Sequence, residues 1–557
     1  MYESHPLFRF SAELVDEVAS LMPVLATYLG VPGHDHRWED LSPEGQSRRA
    51  EALRERRRRL STLDPAGDPW LTLTKRSIED QLDLWLDAHD SGDHLQDLNN
   101  IDSPLQSMRM VFDVMDTTTE RGWTDIAQRL ESLAPALANY RALLAEGLAR
   151  QRVVAQRQVR AVLEQGAVHA SDAGWFAGLP ALAAAAPAAP PALAARLTSA
   201  ATAARAAIAG LCEWLAQHYL PHAAPHDAVG AERHARAAAR HLGMRLDARE
   251  AYAWGWDEVH RLEDAMRRTA REIDPAATVP ALVARLKSDP TGCAASPDEF
   301  VALMSARQAA AVAQLDGVHF QVPPPARRID VKLAPPGSTL GAYYVPPSED
   351  FSRVGSVWYV LGENRRPPLF TEISVAYHEG FPGHHLQIAT QMHLADRLSR
   401  FQRVISGSTG HAEGWALYAE QLMFELGYLE RPEYVLGMLS EQLVRAWRVV
   451  VDIGLHLQLP IPAAAGLSGP SWTYDTALEA MHLRSFLPRD HAESEVVRYM
   501  GWPAQAIAYK LGQRAILALR EEQRRRDGAA FSLASFHQRV LEVGSVGLDL
   551  LAERLRA

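Results

Sequence analysis

From residue 11 to about residue 320, Leu, Ala and Val recur at spacings of three and four, the period of helices that each bury one face. Apolar stripes of that kind have to be covered by other helices, so the fold class expected is mainly α. Turn signals such as DPAGDP at 64–69 punctuate the run. Residues 181–209 are rich in alanine and interrupted by Pro187, Pro190 and Pro191, which suggests a flexible connection followed by a surface helix. Between 321 and 361 the pattern changes. RRIDVKLA, a PPG turn, STLGAYYV and GSVWYVL are rich in Val, Tyr and Trp between Pro and Gly, which predicts short strands and a small antiparallel sheet. Helical patterning resumes from 362. The expected organisation is therefore an N-terminal helical lobe over 1–320, and a second lobe over 321–557 holding the sheet at 321–361 and C-terminal helices.

A chain of 557 residues can bury a large core without covalent staples. Its two cysteines, Cys212 and Cys293, stand far from other ligand-type residues, which excludes a disulfide framework and a cysteine-based metal site and fits a reducing compartment. The start, MYESHPLFRFSAELVDEV, lacks the basic start and apolar run of a secretory signal, and no stretch reads as a membrane span; a cytoplasmic protein with no membrane partner is expected. The formal charge of −11 is spread over interspersed acids and bases, which argues against nucleic acid as a partner. The basic run Arg56–Arg59 has acids around it on a helical pattern and reads as a solvated face.

The residues that carry chemistry lie in TEISVAYHEGFPGHHLQ, 371–387. Ile373, Ala376 and Tyr377 follow a helical stripe that would carry His378 and Glu379 inward. The usual zinc-peptidase pattern places two histidines four apart on one helix face, but here the fourth position after His378 is Pro382. On a regular helix His385 would point about 20° from His378 but lie about 10 Å along the axis, and His384 would point about 120° away. Pro382 cannot continue the helix and Gly383 accepts unusual backbone angles, so a break at Gly-Phe-Pro-Gly can return an imidazole to the same ion. His384 is the expected second ligand and His385 the alternative. Downstream, in GHAEGWALYAEQLMFELG, Trp415, Tyr418, Ala419 and Leu422 form one helical stripe and Glu413, Ala416, Leu417 and Glu420 the next. Two inward carboxylates need a cation or hydrogen bonds. Glu413 is the expected third ligand, and Glu420, two turns on, would orient a ligand histidine.

Through HEGFPGHHLQ, EGWALYAEQLM and VVRYMGWPAQAIAYKLGQ, the chain resembles the domain-of-unknown-function 885 family of bacterial proteins. That family looks distantly related to helical zinc peptidases such as thimet oligopeptidase, angiotensin-converting enzyme and Taq-type carboxypeptidases. The resemblance implies a large two-lobed multi-helix body with a deep central channel, one zinc ion held by His378, His384 and Glu413, and Glu379 as general base.

A site of two histidines, one carboxylate and an open position would acidify water and polarise a carbonyl, with Glu379 taking the proton. The function expected is a zinc-dependent, metallopeptidase-like hydrolase acting on short peptides or related amides. A metal-containing peptide-binding protein without catalysis is the alternative, which Glu379 disfavours. Tyr509 is the candidate donor to the developing oxyanion, because the helical zinc peptidases place a tyrosine downstream of the third ligand. Arg448, His456, Arg498 and Lys510 are further candidates for a substrate carboxylate or the oxyanion, with an Arg498–Glu495 pair the competing reading for Arg498. Tyr343 and Tyr344 would line the site from the sheet side.

Overall fold

The structure is a computed structural model describing residues 2–334, 341–362 and 364–557. It is mainly helical, with a small mixed three-stranded sheet. The chain forms two compact units, one comprising residues 3–228 with 500–502 and the other residues 229–499 with 503–557. The division thus falls at Val229, and the boundary expected near 320 lies inside the larger unit. Among the described residues no helix is long and apolar enough to cross a membrane.

The smaller unit is built around the helix Leu193–Trp214 (α1), against which Glu120–Glu131, Leu133–Ala149, Gln156–Ala170 and Trp175–Ala185 pack. This corrects the expectation of a surface helix. Leu197, Ala200, Ala201, Ala204 and Ile208 are buried with Trp123, Tyr140, Val159 and Phe176, because alanine's small side chain lets several helices approach one axis. The basic run lies on the helix Pro43–Ser61. Arg56 pairs with Glu17, Arg57 with Asp83 and Glu79, Arg58 with Glu55, and Arg59 with Glu13, so each cation there already has a carboxylate partner.

In the larger unit, Ala248–Ile273 (α2) packs along Pro432–Leu457 (α7), and Thr409–Glu425 (α6) along Ala508–Asp527 (α8). The α6–α8 crossing depends on glycine: a Cβ on Gly414 would collide with the backbone of Gly512, and one on Gly512 with the Gly410 carbonyl. Three more helices complete the neighbourhood of the candidate site: Pro297–Leu315 (α3), Glu372–Glu379 (α4) and His384–His393 (α5).

The sheet consists of Asp330–Leu333 (β1), Ala342–Val345 (β2) and Ser356–Tyr359 (β3) in the order β1-β3-β2. β2 is antiparallel to β3, but β1 is parallel to it, so the sheet is mixed rather than purely antiparallel. The most buried strand, with Val357 and Tyr359 in the core, takes the centre and pairs on both sides, which puts β1 and β2 at the edges. The PPG turn at 335–337 lies outside the described residues.

Candidate metal centre

The helix carrying His378 stops one residue later. α4 ends at Glu379, the Gly380 N–H closes on Ala376 O, and α5 begins at His384. The Phe381–Pro382 peptide bond is cis. Gly383 passes so close to the His378 carbonyl that a Cβ would strike it, which explains glycine at a position whose φ is ordinary. The turn is braced from two sides. Gln308 of α3 donates through Nε2 to Ala376 O at 2.6 Å and accepts from Phe381 N at 2.7 Å, adding a second donor to that carbonyl and serving an N–H that the helix end leaves open. Trp415 of α6 donates through Nε1 to Pro382 O at 2.9 Å.

This break turns His384 toward His378. The two rings lie 4.9 Å apart and nearly perpendicular. Glu413, in the second turn of α6, meets both: its Oε2 is 3.3 Å from His378 Nε2 and 3.5 Å from His384 Nε2. The three ligand atoms all lie within 4.8 Å of one another. Donors bound tetrahedrally at 2.0–2.1 Å stand about 3.4 Å apart, so the two measured separations suit a single small divalent cation.

The hydrogen bonds fix which lone pairs face the centre. Glu420 Oε1 lies 2.7 Å from His378 Nδ1, while Ser374 Oγ donates to Glu420 Oε2 at 2.9 Å and Gln442 Nε2 to the same oxygen at 3.3 Å. An ionised carboxylate only accepts, so His378 Nδ1 carries a proton and Nε2 is the nitrogen turned toward Glu413 and free to bind a metal once its own proton is displaced. Glu413 Oε2 is buried without a hydrogen-bond partner among the described residues, and so is His384 Nδ1. Burial alone would raise the Glu413 carboxyl, but His384 and His378 hold it well below the usual carboxylate range. Burial opposes charge on His378, yet Glu413 and Glu420 outweigh it and push the imidazole up to about 10. The centre therefore calls for positive charge, and the donor set of two imidazoles and a carboxylate fits a dication that would displace that proton.

Glu379 follows the ligand His378 on the last turn of α4. Burial raises its carboxyl, Glu413 adds to the effect, and His378, His384 and Arg445 oppose it. Tyr509, in the first turn of α8, is raised by burial and by Glu413, and the Arg448 guanidinium lies over its ring at 4.9 Å. Both groups thus sit within the electrostatic reach of the cluster.

The remaining candidates go elsewhere. His385 donates through Nε2 to Ala326 O at 2.9 Å and accepts at Nδ1 from the Tyr344 hydroxyl at 3.0 Å; burial lowers it to about 4. It ties α5 to β2, and both its nitrogens are spent. Tyr343 stacks on Trp358, 6.3 Å away. Arg448 and Arg498 both bind Glu495, through Nη2 at 2.8 and 2.9 Å, and Tyr499 donates to the same carboxylate, so the Arg498–Glu495 pairing is the one observed. His456 accepts from Val229 N and donates to Tyr499 O, leaving no nitrogen for a ligand. Lys510 Nζ lies 2.7 Å from Gln442 Oε1, 2.7 Å from Gln513 Oε1 and 2.8 Å from Glu258 Oε1, which uses its three donors. The polar groups of these four are engaged in packing the helices, Arg498 through the local partner Glu495 and the other three through partners distant in sequence.

Sequence reasoning missed three groups beside the centre. Glu372, on the first turn of α4, is pushed up to about 7 by burial and by the charges of Glu441 and Glu379. Arg445 of α7 is nearly buried and joined to Glu441. Gln442 carries the link from Lys510 to Glu420. Glu441 and Arg445 stand four apart, a spacing shared by countless surface pairs, so only the fold shows where they face.

Two solved structures share the fold. A crystal structure named "putative lipoprotein" from Colwellia psychrerythraea is 23% identical, with a TM-score of 0.85 over 99% of this chain and 98% of that one. A "putative lipoprotein of unknown function" from Shewanella oneidensis is 18% identical, with a TM-score of 0.74 over 100% of both chains. No curated protein matches the chain. The profile of the bacterial proteins of unknown function DUF885 matches residues 23–555, nearly the whole length, and the chain belongs to that family.

Proposed function

We propose that this protein is a zinc-dependent hydrolase of peptide or related amide bonds in short substrates, with one ion held by His378, His384 and Glu413. The observation that carries the reading is the convergence of His378 Nε2, His384 Nε2 and the otherwise unpartnered Glu413 Oε2, with Glu420 setting the His378 tautomer from behind. A bound ion with an open fourth position would acidify water and polarise a carbonyl. Glu379 holds the proton taken in the attack and returns it to the leaving amine; burial raises its carboxyl and so makes it a stronger base than a free carboxylate. Tyr509 supplies a phenolic donor on the side of the Glu413 carboxylate. The distant kinship with helical zinc peptidases is part of the same proposal. A residue such as Glu379, close to the centre yet outside the ligand set, favours catalysis over simple binding. β2, an edge strand tied to α5 through Tyr344, offers main-chain groups to an extended substrate.

The free cysteines support the cytoplasm as the compartment, whereas the names of the two solved relatives point to a lipid-anchored one; fractionation of cells decides between them. The function is tested by exposing wild type and Glu379→Gln to a diverse peptide library read by mass spectrometry. The expected result is cleavage by wild type and a loss of roughly 10²–10⁴-fold in the variant with its metal retained. Equal cleavage by both proteins would refute the role of Glu379.

A further inference from the structure

Among the cations around the centre, Arg445 differs in how its donors are used. Arg448 and Arg498 turn their guanidinium forks onto Glu495, and Lys510 is fully coordinated. Among the described residues Arg445 commits only Nη1, to Glu441 Oε2 at 2.8 Å. Its side chain is 11% exposed, and its Nε is buried with no hydrogen-bond partner among the described residues. A buried guanidinium N–H without an acceptor is costly. The edge opposite Nη1, formed by Nε and Nη2, is the edge that binds a carboxylate side-on through two parallel hydrogen bonds.

Arg445 stands on α7 three residues from Gln442, whose Nε2 donates to Glu420, and three from Arg448, whose guanidinium lies over the Tyr509 ring at 4.9 Å. It therefore shares the face of α7 that borders the metal centre, where its charge also acts on Glu420, Glu379 and Tyr509. Arg448 of α7 and Arg498 of the helix Arg489–Gly501 share the carboxylate Glu495, and Arg445 pairs with Glu441. Glu372 and Glu379, on α4, form no ion pair with Lys or Arg among the described residues, and burial raises both carboxyls.

We propose that Arg445 binds the terminal carboxylate of the substrate, so that the preferred substrates are short peptides with a free C-terminus. The inference rests on the hydrolase reading of the same centre but is separable from it by experiment. Trialanine and trialanine amide are titrated calorimetrically into the metal-loaded Glu379→Gln protein, in which turnover is suppressed, and into the same protein carrying Arg445→Gln or Arg445→Lys. The free acid is expected to bind about ten- to a hundred-fold more tightly than the amide, the range for a charge-assisted hydrogen bond. Arg445→Gln should erase the difference and leave amide binding unchanged, and Arg445→Lys, which keeps the charge but not the fork, should restore only part of it. Equal binding of the two peptides, binding of neither, or a preference that survives Arg445→Gln would overturn the proposal and show Arg445 to be a structural counter-ion of Glu441 and Glu420. The comparison of the two peptides in the parent protein stands even if an Arg445 variant fails to fold. Cleavage of the same peptides by wild type is scored separately, so a failure of the hydrolase reading leaves the binding result intact.

Discussion

Replacing Glu420 by glutamine alters no ligand atom, yet it should weaken the metal centre. In the native protein both oxygens of Glu420 accept: Oε1 from His378 Nδ1, Oε2 from Ser374 Oγ and Gln442 Nε2. In the variant the amide oxygen has to stay on His378, because that ring must keep its Nδ1 proton to offer Nε2 to the ion. The new NH₂ group then faces Ser374, whose hydroxyl can rotate to accept, and Gln442 Nε2, which cannot. Gln442 is locked in its orientation by Lys510 Nζ, 2.7 Å from its Oε1, so turning the amide over would leave a buried ammonium short of an acceptor. The structure thus predicts one donor facing a donor, a cost of about 1–3 kcal/mol in stability. It also predicts a loss of about ten- to a hundred-fold in zinc affinity, equivalent to about 1.4–2.8 kcal/mol. Competition with a chromophoric chelator measures the affinity, and thermal melting of the metal-free and metal-loaded forms measures the stability. Unchanged zinc affinity in a folded Glu420→Gln protein would refute the reasoning, since it would mean that the His378 tautomer does not depend on that carboxylate.

Two further outcomes follow from the same contacts. Gln308→Ala removes the side chain that serves both Ala376 O and Phe381 N; it should lower stability by about 2–4 kcal/mol, one buried hydrogen bond lost with the Phe381 N–H left open and a second lost at Ala376 O, which keeps the Gly380 N–H, and weaken zinc binding, both read by melting with and without zinc. Acid should destabilise the helix pairing around Glu258: burial raises this carboxyl, but Arg261 and Lys510 outweigh it and bring it down to about 2. A depressed carboxylate contributes its stability above its unfolded value, about 4.3, and loses it as pH falls toward 2. Glu258→Gln should therefore flatten the pH dependence of the melting temperature between about pH 4.3 and 2 relative to wild type, and an unaltered slope would count against the assignment.

The legible part of the molecule was the part governed by local rules. Helical periodicity announced the mainly α fold, and the side-chain types of His378, His384, Glu413 and Glu420 announced a cluster that the fold brings together. The interruption at Pro382 signalled that a single helix could not carry both histidines, but the bracing of the turn by Gln308 and Trp415 depends on contacts from distant segments. The same limit explains the misplaced cations. Arg448, His456 and Lys510 look available in sequence because their partners, Glu495, Val229, Tyr499 and Glu258, reach them through long-range packing, whereas the Arg498–Glu495 pair is local and could be read from its i, i+3 spacing. Arg445 could not be distinguished from an ordinary i, i+4 surface pair. The alanine-rich helix was misread because small residues signal exposure in composition but allow close packing in a core, and the sheet was misread because strand signals carry no direction.

The central claim is that His378, His384 and Glu413 bind one ion while His385 serves the scaffold. It is tested most directly by the zinc content, by mass spectrometry, of wild type, His384→Ala and His385→Ala proteins purified under identical zinc supply. The account predicts about one zinc per chain in wild type, loss of the metal in His384→Ala, and retention in His385→Ala. A zinc-free wild type, or a His384→Ala protein that keeps its metal, would contradict it.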